Sequence, residues 1–275
     1  MRRVASQVWF EDKYPSGEIG VIASQDEVLL IGTPLLVDDV KQWLTEVEES
    51  GAVRYVALLD SHPDRVLGTR ALDLPLIGHD LTLESIREWS DTFKGSSHPI
   101  GAESDRLKRV TGVLSGMPEI TFNQELTLRL GNKDIRFLHR PGPRPGSIWV
   151  LEDTTSVVFV GDAVTVDAPP YLGVSDLELW LEALDDLRKL EDSGYKVVSS
   201  HGGRVGRDDI NNMARFLRKV ENRLEKLDKA DDRKLAAMDF AEELLEDFKS
   251  TSARREFDLL RLQTGLLDLY DLFQE

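Results

Sequence analysis

The sequence contains no cysteine among its 275 residues. This absence excludes a disulfide framework, a thiolate metal site and a cysteine nucleophile, so any metal ion would need histidine and carboxylate ligands. Long apolar runs are also missing, because no window approaches the roughly 20 residues that a membrane span requires. The two arginines at the start are soon followed by further charged residues, which is not typical of a secretion signal. These observations predict a soluble, cytoplasmic protein without a membrane partner.

Positive charge is scarce relative to negative charge. The chain has 34 Lys and Arg against 50 Asp and Glu, which gives a formal net charge of -16. A nucleic-acid surface would repel such a protein over most of its area, so we expect no nucleic-acid partner. A small-molecule substrate remains compatible with this charge. The 41% of hydrophobic residues is enough to fill the core of one large domain.

Hydrophobic periodicity predicts strands in two groups, each followed by helices. The first group contains the hairpin "EIGVIAS" and "EVLLIGT" and the strand at 53–59, and the second lies between residues 119 and 160. This order favours two sheets packed face to face with helices outside. The segment between the groups, 94–118, is predicted to be a loop with a helix from Ser104.

The last part of the chain is rich in Leu and Glu and is predicted to be helical. We therefore divide the chain into a sandwich domain at 1–228 and a C-terminal helical extension at 229–275. Leucines spaced at three and four residues usually pack in a core, which favours a cap over the sheet. A substrate lid and a homodimer contact through these helices are the alternatives.

Four of the predicted strands end in polar clusters. The clusters are "ALLDSHPDR" (57–65), "FLHRPGPRPGS" (137–147), "VVFVGDAV" (157–164) and "VVSSHGG" (197–203). Strand ends are rigid, and side chains there can converge on one spot while the backbone stays buried. The four clusters therefore predict one site built from distant parts of the chain.

In order and in flanking residues, these clusters resemble the motifs of the metallo-β-lactamase superfamily, which includes the glyoxalase II type hydrolases. "DSHPDRVLG" stands where the family has HxHxDHxGG, "PGPRPGS" stands for PGHTPGS, "FVGDAV" for the GD motif and "SSHGG" for the final histidine. The resemblance covers roughly residues 5–225. It implies an α+β fold, the αββα four-layer sandwich. It also implies two metal ions, usually zinc, that generate a hydroxide for attack on a carbonyl or phosphoryl centre.

Carried over residue by residue, the resemblance implies an eroded metal centre. The retained ligand positions are His62, Asp64, Asp162 and His201. Asp60 and Arg65 stand where the family has histidines, and Pro143 occupies another histidine position without any side-chain donor. If the carboxylates of this site converge, they cannot all stay ionised without a compensating cation.

Two hypotheses supply that cation. In the first, Asp64, Asp162 and His201 hold one divalent ion (zinc, manganese or iron), and His62 and Asp60 complete or orient the site. The protein is then a metal-dependent hydrolase of a small ester, thioester or phosphoester, with Asp64 and His62 as catalytic residues. The four retained ligand positions favour this hypothesis. In the second, Arg65 occupies the metal volume and bridges Asp64 and Asp162, and no metal is bound. The protein is then a non-catalytic small-molecule binder or interaction module.

Arginines are concentrated on loops that the resemblance places around the site. "HRPGPRPG" contains Arg144 and "HGGRVGR" contains Arg204. We predict that Arg65, Arg144 and Arg204 bind substrate, because guanidinium groups pair with carboxylates and phosphates. Ordinary solvated arginines are the alternative interpretation.

Overall fold

The computed structural model describes residues 1–274. The strands are β1 (Arg2–Ala5), β2 (Val8–Glu11), β3 (Ile19–Ser24), β4 (Glu27–Ile31), β5 (Ala52–Ala57), β6 (Leu76–His79), β7 (Thr92–Phe93), β8 (Val110–Thr111), β9 (Ile120–Phe122), β10 (Glu125–Leu130), β11 (Lys133–His139), β12 (Ile148–Glu152), β13 (Val157–Phe159), β14 (Lys196–Val198) and β15 (Arg204–Val205). The helices are α1 (Val37–Glu48), α2 (Pro63–Val66), α3 (Asp80–Arg87), α4 (Leu177–Asp192), α5 (Arg207–Asp228), α6 (Arg233–Leu245) and α7 (Arg255–Gln274).

The strands form two large sheets and one short ribbon. The first sheet has seven strands in the order β1-β2-β3-β4-β5-β6-β9, and the second has six in the order β10-β11-β12-β13-β14-β15. Strands β4, β5, β6 and β9 run parallel to one another, as do β13 and β14. Parallel neighbours place the carboxyl ends of their strands at one edge of a sheet, where a site can form.

Alternation along the strands separates the core into layers, because successive side chains of a strand point to opposite faces. In β4, Leu29 packs between the two sheets and Leu30 packs outward with Trp43 of α1. In β12, Val150 faces the space between the sheets, whereas Trp149 packs outward with the helices α4 and α5. The result is the αββα sandwich, so this prediction is confirmed.

The C-terminal helices pack on the outer face of the second sheet. Leu244 of α6 and Leu262 and Leu266 of α7 are fully buried in the same cluster as Trp180 of α4. Helix α5 ends at Asp228, and the division of the chain at that residue, with its cap, lid and dimer alternatives, stays a prediction. None of the helices within 1–274 combines the length and the apolar character needed to cross a bilayer.

Candidate functional site

Backbone hydrogen bonds join the strand ends that carry the polar clusters in two pairs. The chain leaves β5 through Leu59, whose carbonyl accepts the N–H of Ile148 at 2.9 Å. The loop after β14 is joined to the loop after β13 because the N–H of Ser200 donates to the carbonyl of Gly161 at 3.0 Å. These backbone contacts bring the loops that carry Asp60, Asp162 and His201 to the same edge of the sandwich.

Arg65 lies at the centre of this edge and is buried, with 6% of its surface exposed. Its Nη1 donates to both carboxylate oxygens of Asp60 at 2.9 Å, and its Nη2 donates to Oδ1 of Asp162. Burial alone would lower the pKa of Arg65, but the charges of Asp162 and Asp60 outweigh it and raise the pKa above its ordinary value. One guanidinium therefore neutralises the carboxylates that follow two different strands.

The pairing with Arg65 also determines the charge of Asp162. Burial would raise the pKa of this carboxyl group, but the charge and the hydrogen bond of Arg65 lower it below its ordinary value, so Asp162 is ionised at neutral pH. The sequence hypothesis of a built-in counter-ion paired Arg65 with Asp64 and Asp162, and the first of these two partners is wrong. The structure shows that the partners are Asp60 and Asp162, and that Asp64 is not one of them.

Asp64 is bound by backbone groups instead. Its Oδ1 accepts the N–H of Ser104 at 2.7 Å, and its Oδ2 accepts the N–H of Glu103 at 3.0 Å. Both donors belong to a single turn of 3-10 helix, Glu103–Arg106, so the helix predicted from Ser104 is wrong. Because both carboxylate oxygens are used to hold this turn, Asp64 is placed as an anchor for the 94–118 segment.

The two histidines of the site are buried and neutral. Nδ1 of His62 accepts the N–H of Asp64 at 3.2 Å, which makes His62 the N-cap of α2. Burial lowers the pKa of His62 well below its ordinary value and that of His201 to about 3. Nε2 of His201 lies 4.0 Å from Oδ1 of Asp162, so these two predicted ligands do come together.

The predicted substrate arginines occupy different environments. Arg144, directly after Pro143, makes no side-chain hydrogen bond among residues 1–274, and its Nη2 is completely buried. Arg204 is an exposed residue of β15 and is not among the residues lining the cavity that Arg144 borders. Its exposure agrees with the alternative interpretation of a solvated arginine, whereas Arg144 is held inside the site.

The sequence interpretation missed the contribution of α7. Arg261 is 3% exposed; its Nε donates to the carbonyl of Gly101 at 2.8 Å, and its Nη1 donates to that of Pro169 at 3.1 Å. Arg254 reaches Oε1 of Glu103 at 2.9 Å. The available signal was a charged residue on the leucine face of a helix, since such positions are almost never buried unless the charge is paired.

The donor set does not fit a bound metal ion. Within the described residues 1–274, no group of three or more histidine, aspartate and glutamate side chains is arranged to hold one. The physical reasons are visible at each position. Arg65 is paired with Asp60 and Asp162, Asp64 accepts hydrogen bonds from backbone N–H groups, and Pro143 has no side-chain donor atom for a metal ion. The guanidinium of Arg65 contacts two of the carboxylates to which the resemblance assigns a metal ion.

A comparison with known protein families identifies the segment of the chain that carries the site residues. The family model of the metallo-beta-lactamase superfamily matches residues 61–201, which begin at the DSHPDR cluster and end at the last histidine of the site. The chain belongs to the metallo-beta-lactamase superfamily. Members of this superfamily typically bind divalent metal ions such as zinc, and membership suggests metal-dependent hydrolysis.

Solved metallo-beta-lactamases share the fold of this superfamily member at low sequence identity. The enzyme from Pontibacter korlensis aligns over 78% of this chain and 97% of its own, with 17% identity and a TM-score of 0.63. The DIM-1 metallo-beta-lactamase covers 79% and 96%, with 13% identity and a TM-score of 0.63. That of Hirschia baltica covers 78% and 95%, with 17% identity and a TM-score of 0.57. No curated protein sequence matches significantly.

Glu18, in the loop between β2 and β3, contacts the turn after His201. Its Oε1 accepts the N–H of Gly202 at 3.0 Å, and burial raises the pKa of Glu18 to about 7, with Asp167 adding to the effect. The folded state therefore keeps a proton that the unfolded chain releases near its ordinary pKa of 4.5. The contribution of the protonated Glu18 to the free energy of unfolding is therefore fully present below pH 4.5 and is lost as the pH rises towards 7.

Glu18→Gln is expected to remove the loss of stability that ionisation of Glu18 causes between pH 4.5 and pH 7. At pH 8 the variant is expected to be about 2 kcal/mol more stable than the wild type, and at pH 4.5 the two are expected to be nearly equal. Urea unfolding at both pH values measures the difference. Glu84→Gln, at an exposed position of α3, serves as the matched control. A difference between Glu18→Gln and the wild type that does not change with pH would contradict the assignment.

Proposed function

We propose that this protein is a non-hydrolytic member of the metallo-beta-lactamase superfamily that binds a small molecule at a metal-free centre. The observation that carries the proposal is the position of Arg65, whose guanidinium joins Asp60 to Asp162. A metal ion bound to the same carboxylates would be repelled by the adjacent guanidinium, and expelling a buried arginine would leave its charge unpaired. Without a metal there is no activated water, which is the nucleophile of the family reaction.

One observation favours the alternative, a one-metal hydrolase that uses Asp64, Asp162 and His201. His201 and Asp162 lie within 4.0 Å of each other, which is compatible with shared ligation. That site would require Arg65 to leave Asp162 and Asp64 to release the backbone of Glu103 and Ser104. The metal-free centre requires neither change, and it therefore has the stronger support.

Elemental analysis separates the two functions. The protein, incubated with zinc, manganese or iron and then desalted, is expected to hold clearly substoichiometric metal and to show no shift in its unfolding temperature. The triple variant D60H/R65H/P143H, which restores three imidazoles, is the positive control and is expected to gain zinc, since imidazole suits this ion. Stoichiometric metal in the wild type, lost in Asp162→Asn and His201→Ala, would establish the hydrolase instead.

A further inference from the structure

A cavity of about 590 Å³ opens next to the ion-pair centre. It reaches Pro63, the first residue of α2, and Arg144 on one side, and Trp89, Phe93 and Ile100 on the other. Its volume lies in the range of small-molecule sites, which are typically apolar clefts with a few polar groups that orient the ligand. Arg144 connects this cavity to the ion-pair centre, because the charges of Asp60, Arg65 and Asp162 all act on it.

The guanidinium of Arg144 faces the ring of Tyr171 at 5.7 Å but has no anionic partner within residues 1–274. Among residues 1–274, no carboxylate lies within ion-pair distance of its guanidinium, and its side chain donates no hydrogen bond. The neighbouring carboxylates of Asp60 and Asp162 are already paired with Arg65. Burial lowers the pKa of Arg144, yet a guanidinium stays protonated in proteins. Arg144 is half-buried and its Nη2 is fully buried without an acceptor. Such a donor is costly, and an anionic ligand would supply the missing partner.

Tyr171 and Asp268 also line the cavity, and they are paired with each other. The ring of Tyr171 lies 5.7 Å from the guanidinium carbon of Arg144, and its hydroxyl donates to Asp268 at 2.5 Å. Asp268 also lies 3.7 Å from Nε2 of His98, so this carboxylate already has two partners. Lys94 stands on the same lining. In a protein of net charge -16, the lining therefore carries more cationic than acidic groups.

We propose that this cavity binds a small aromatic anion, with its carboxylate or phosphate head on the guanidinium of Arg144 and its ring against Trp89 and Phe93. The fork of a guanidinium matches both kinds of head group. The assignment rests on the proposed metal-free centre, because Arg144 is available to a ligand only while Arg65 neutralises Asp60 and Asp162.

Calorimetric titration in the presence of EDTA tests the assignment with benzoate and phenyl phosphate as probes. Benzamide lacks the charge, and inorganic phosphate lacks the ring. We expect at least one of the two aromatic anions to bind about tenfold more tightly than benzamide or inorganic phosphate, and the tighter of them identifies the head group. In Arg144→Gln this affinity is expected to fall about tenfold or more, whereas the matched control Arg204→Gln is expected to stay within about twofold.

A second variant tests the cavity without changing the charge. Ser97→Trp places a large ring on the exposed turn that lines the cavity and is expected to abolish binding while Arg144 stays in place. Equal affinity for benzoate and benzamide, or an equal loss in Arg144→Gln and Arg204→Gln, would overturn the assignment. A repeat of the titration with zinc in place of EDTA separates the two proposals. Binding that requires zinc would refute the metal-free centre, whereas no binding by a protein that remains metal-free would refute the anion site alone.

Discussion

Arg65→Met is expected to lower the free energy of unfolding by about 3–5 kcal/mol, because it leaves the carboxylates of Asp60 and Asp162 buried without a counter-ion. The loss is expected to depend on pH. In the wild type Arg65 lowers the pKa of Asp162, so its contribution is present above the ordinary value of 3.8 and is lost as the pH falls below it. The gap between variant and wild type is therefore expected to narrow in acid. Urea unfolding between pH 3 and pH 7 measures it.

Two further variants distinguish the charge of Arg65 from its shape. Arg65→Lys keeps the charge but not the fork, so we expect a smaller loss than in Arg65→Met. The triple variant R65M/D60N/D162N removes both carboxylates together with the cation and is expected to recover a large part of the stability. A loss below about 1 kcal/mol in Arg65→Met, the size typical of a surface ion pair, would show that Arg65 is not the counter-ion of the site.

Arg261→Met is expected to lower the free energy of unfolding by about 3 kcal/mol. The variant loses the hydrogen bonds to Gly101 and Pro169 and the positive charge that faces Asp64 and Asp258. Hydrogen exchange of the α7 amides is expected to accelerate as well, because these bonds tie the helix to the loops of the site. Urea unfolding and exchange measured on the same samples test both effects.

The matched control is Arg255→Met on the same helix, where the arginine is exposed and pairs with Glu242 at the surface. This change is expected to stay within about 0.5 kcal/mol of the wild type. Gly101→Ala gives an independent check of the contact with α7. Gly101 has φ +70°, and an added Cβ would lie 2.4 Å from the carbonyl oxygen of Phe257. Similar effects of Arg261→Met and Arg255→Met would show that Arg261 does not hold the cap.

Much of the fold could be predicted from the sequence because neighbouring residues of a strand show, by their alternation, which layer each side chain faces. Leu29 and Leu30 are adjacent and face opposite layers, and the same holds for Trp149 and Val150. Alternation with a period of two residues indicates which face of a strand is apolar, even when the element that packs against that face is unknown. The helix expected from Ser104 failed for the converse reason, since that turn is held by the carboxylate of Asp64 from a distant part of the chain.

The candidate site was predicted in its positions but not in its pairing. The strand-end pattern identified Asp60, Asp162 and His201, which the structure brings together. It also identified Asp64, whose oxygens bind backbone N–H groups. Which carboxylate an arginine reaches depends on the loop geometry of both partners, and a side chain as long as Arg65 has several within range. The hydrolase with one metal ion stays a prediction that elemental analysis tests.

The amino-acid sequence by itself determined the sandwich, the absence of thiolate chemistry, and the loss of imidazole donors at Asp60, Arg65 and Pro143. Only the tertiary structure decided which carboxylates pair with Arg65, and that α7 contributes Arg261 to the same region. The physical reason is the separation along the chain between the groups that interact. Alternation and composition act between neighbours along the chain, whereas the neutralisation of a buried charge depends on groups that meet only after the loops have folded together.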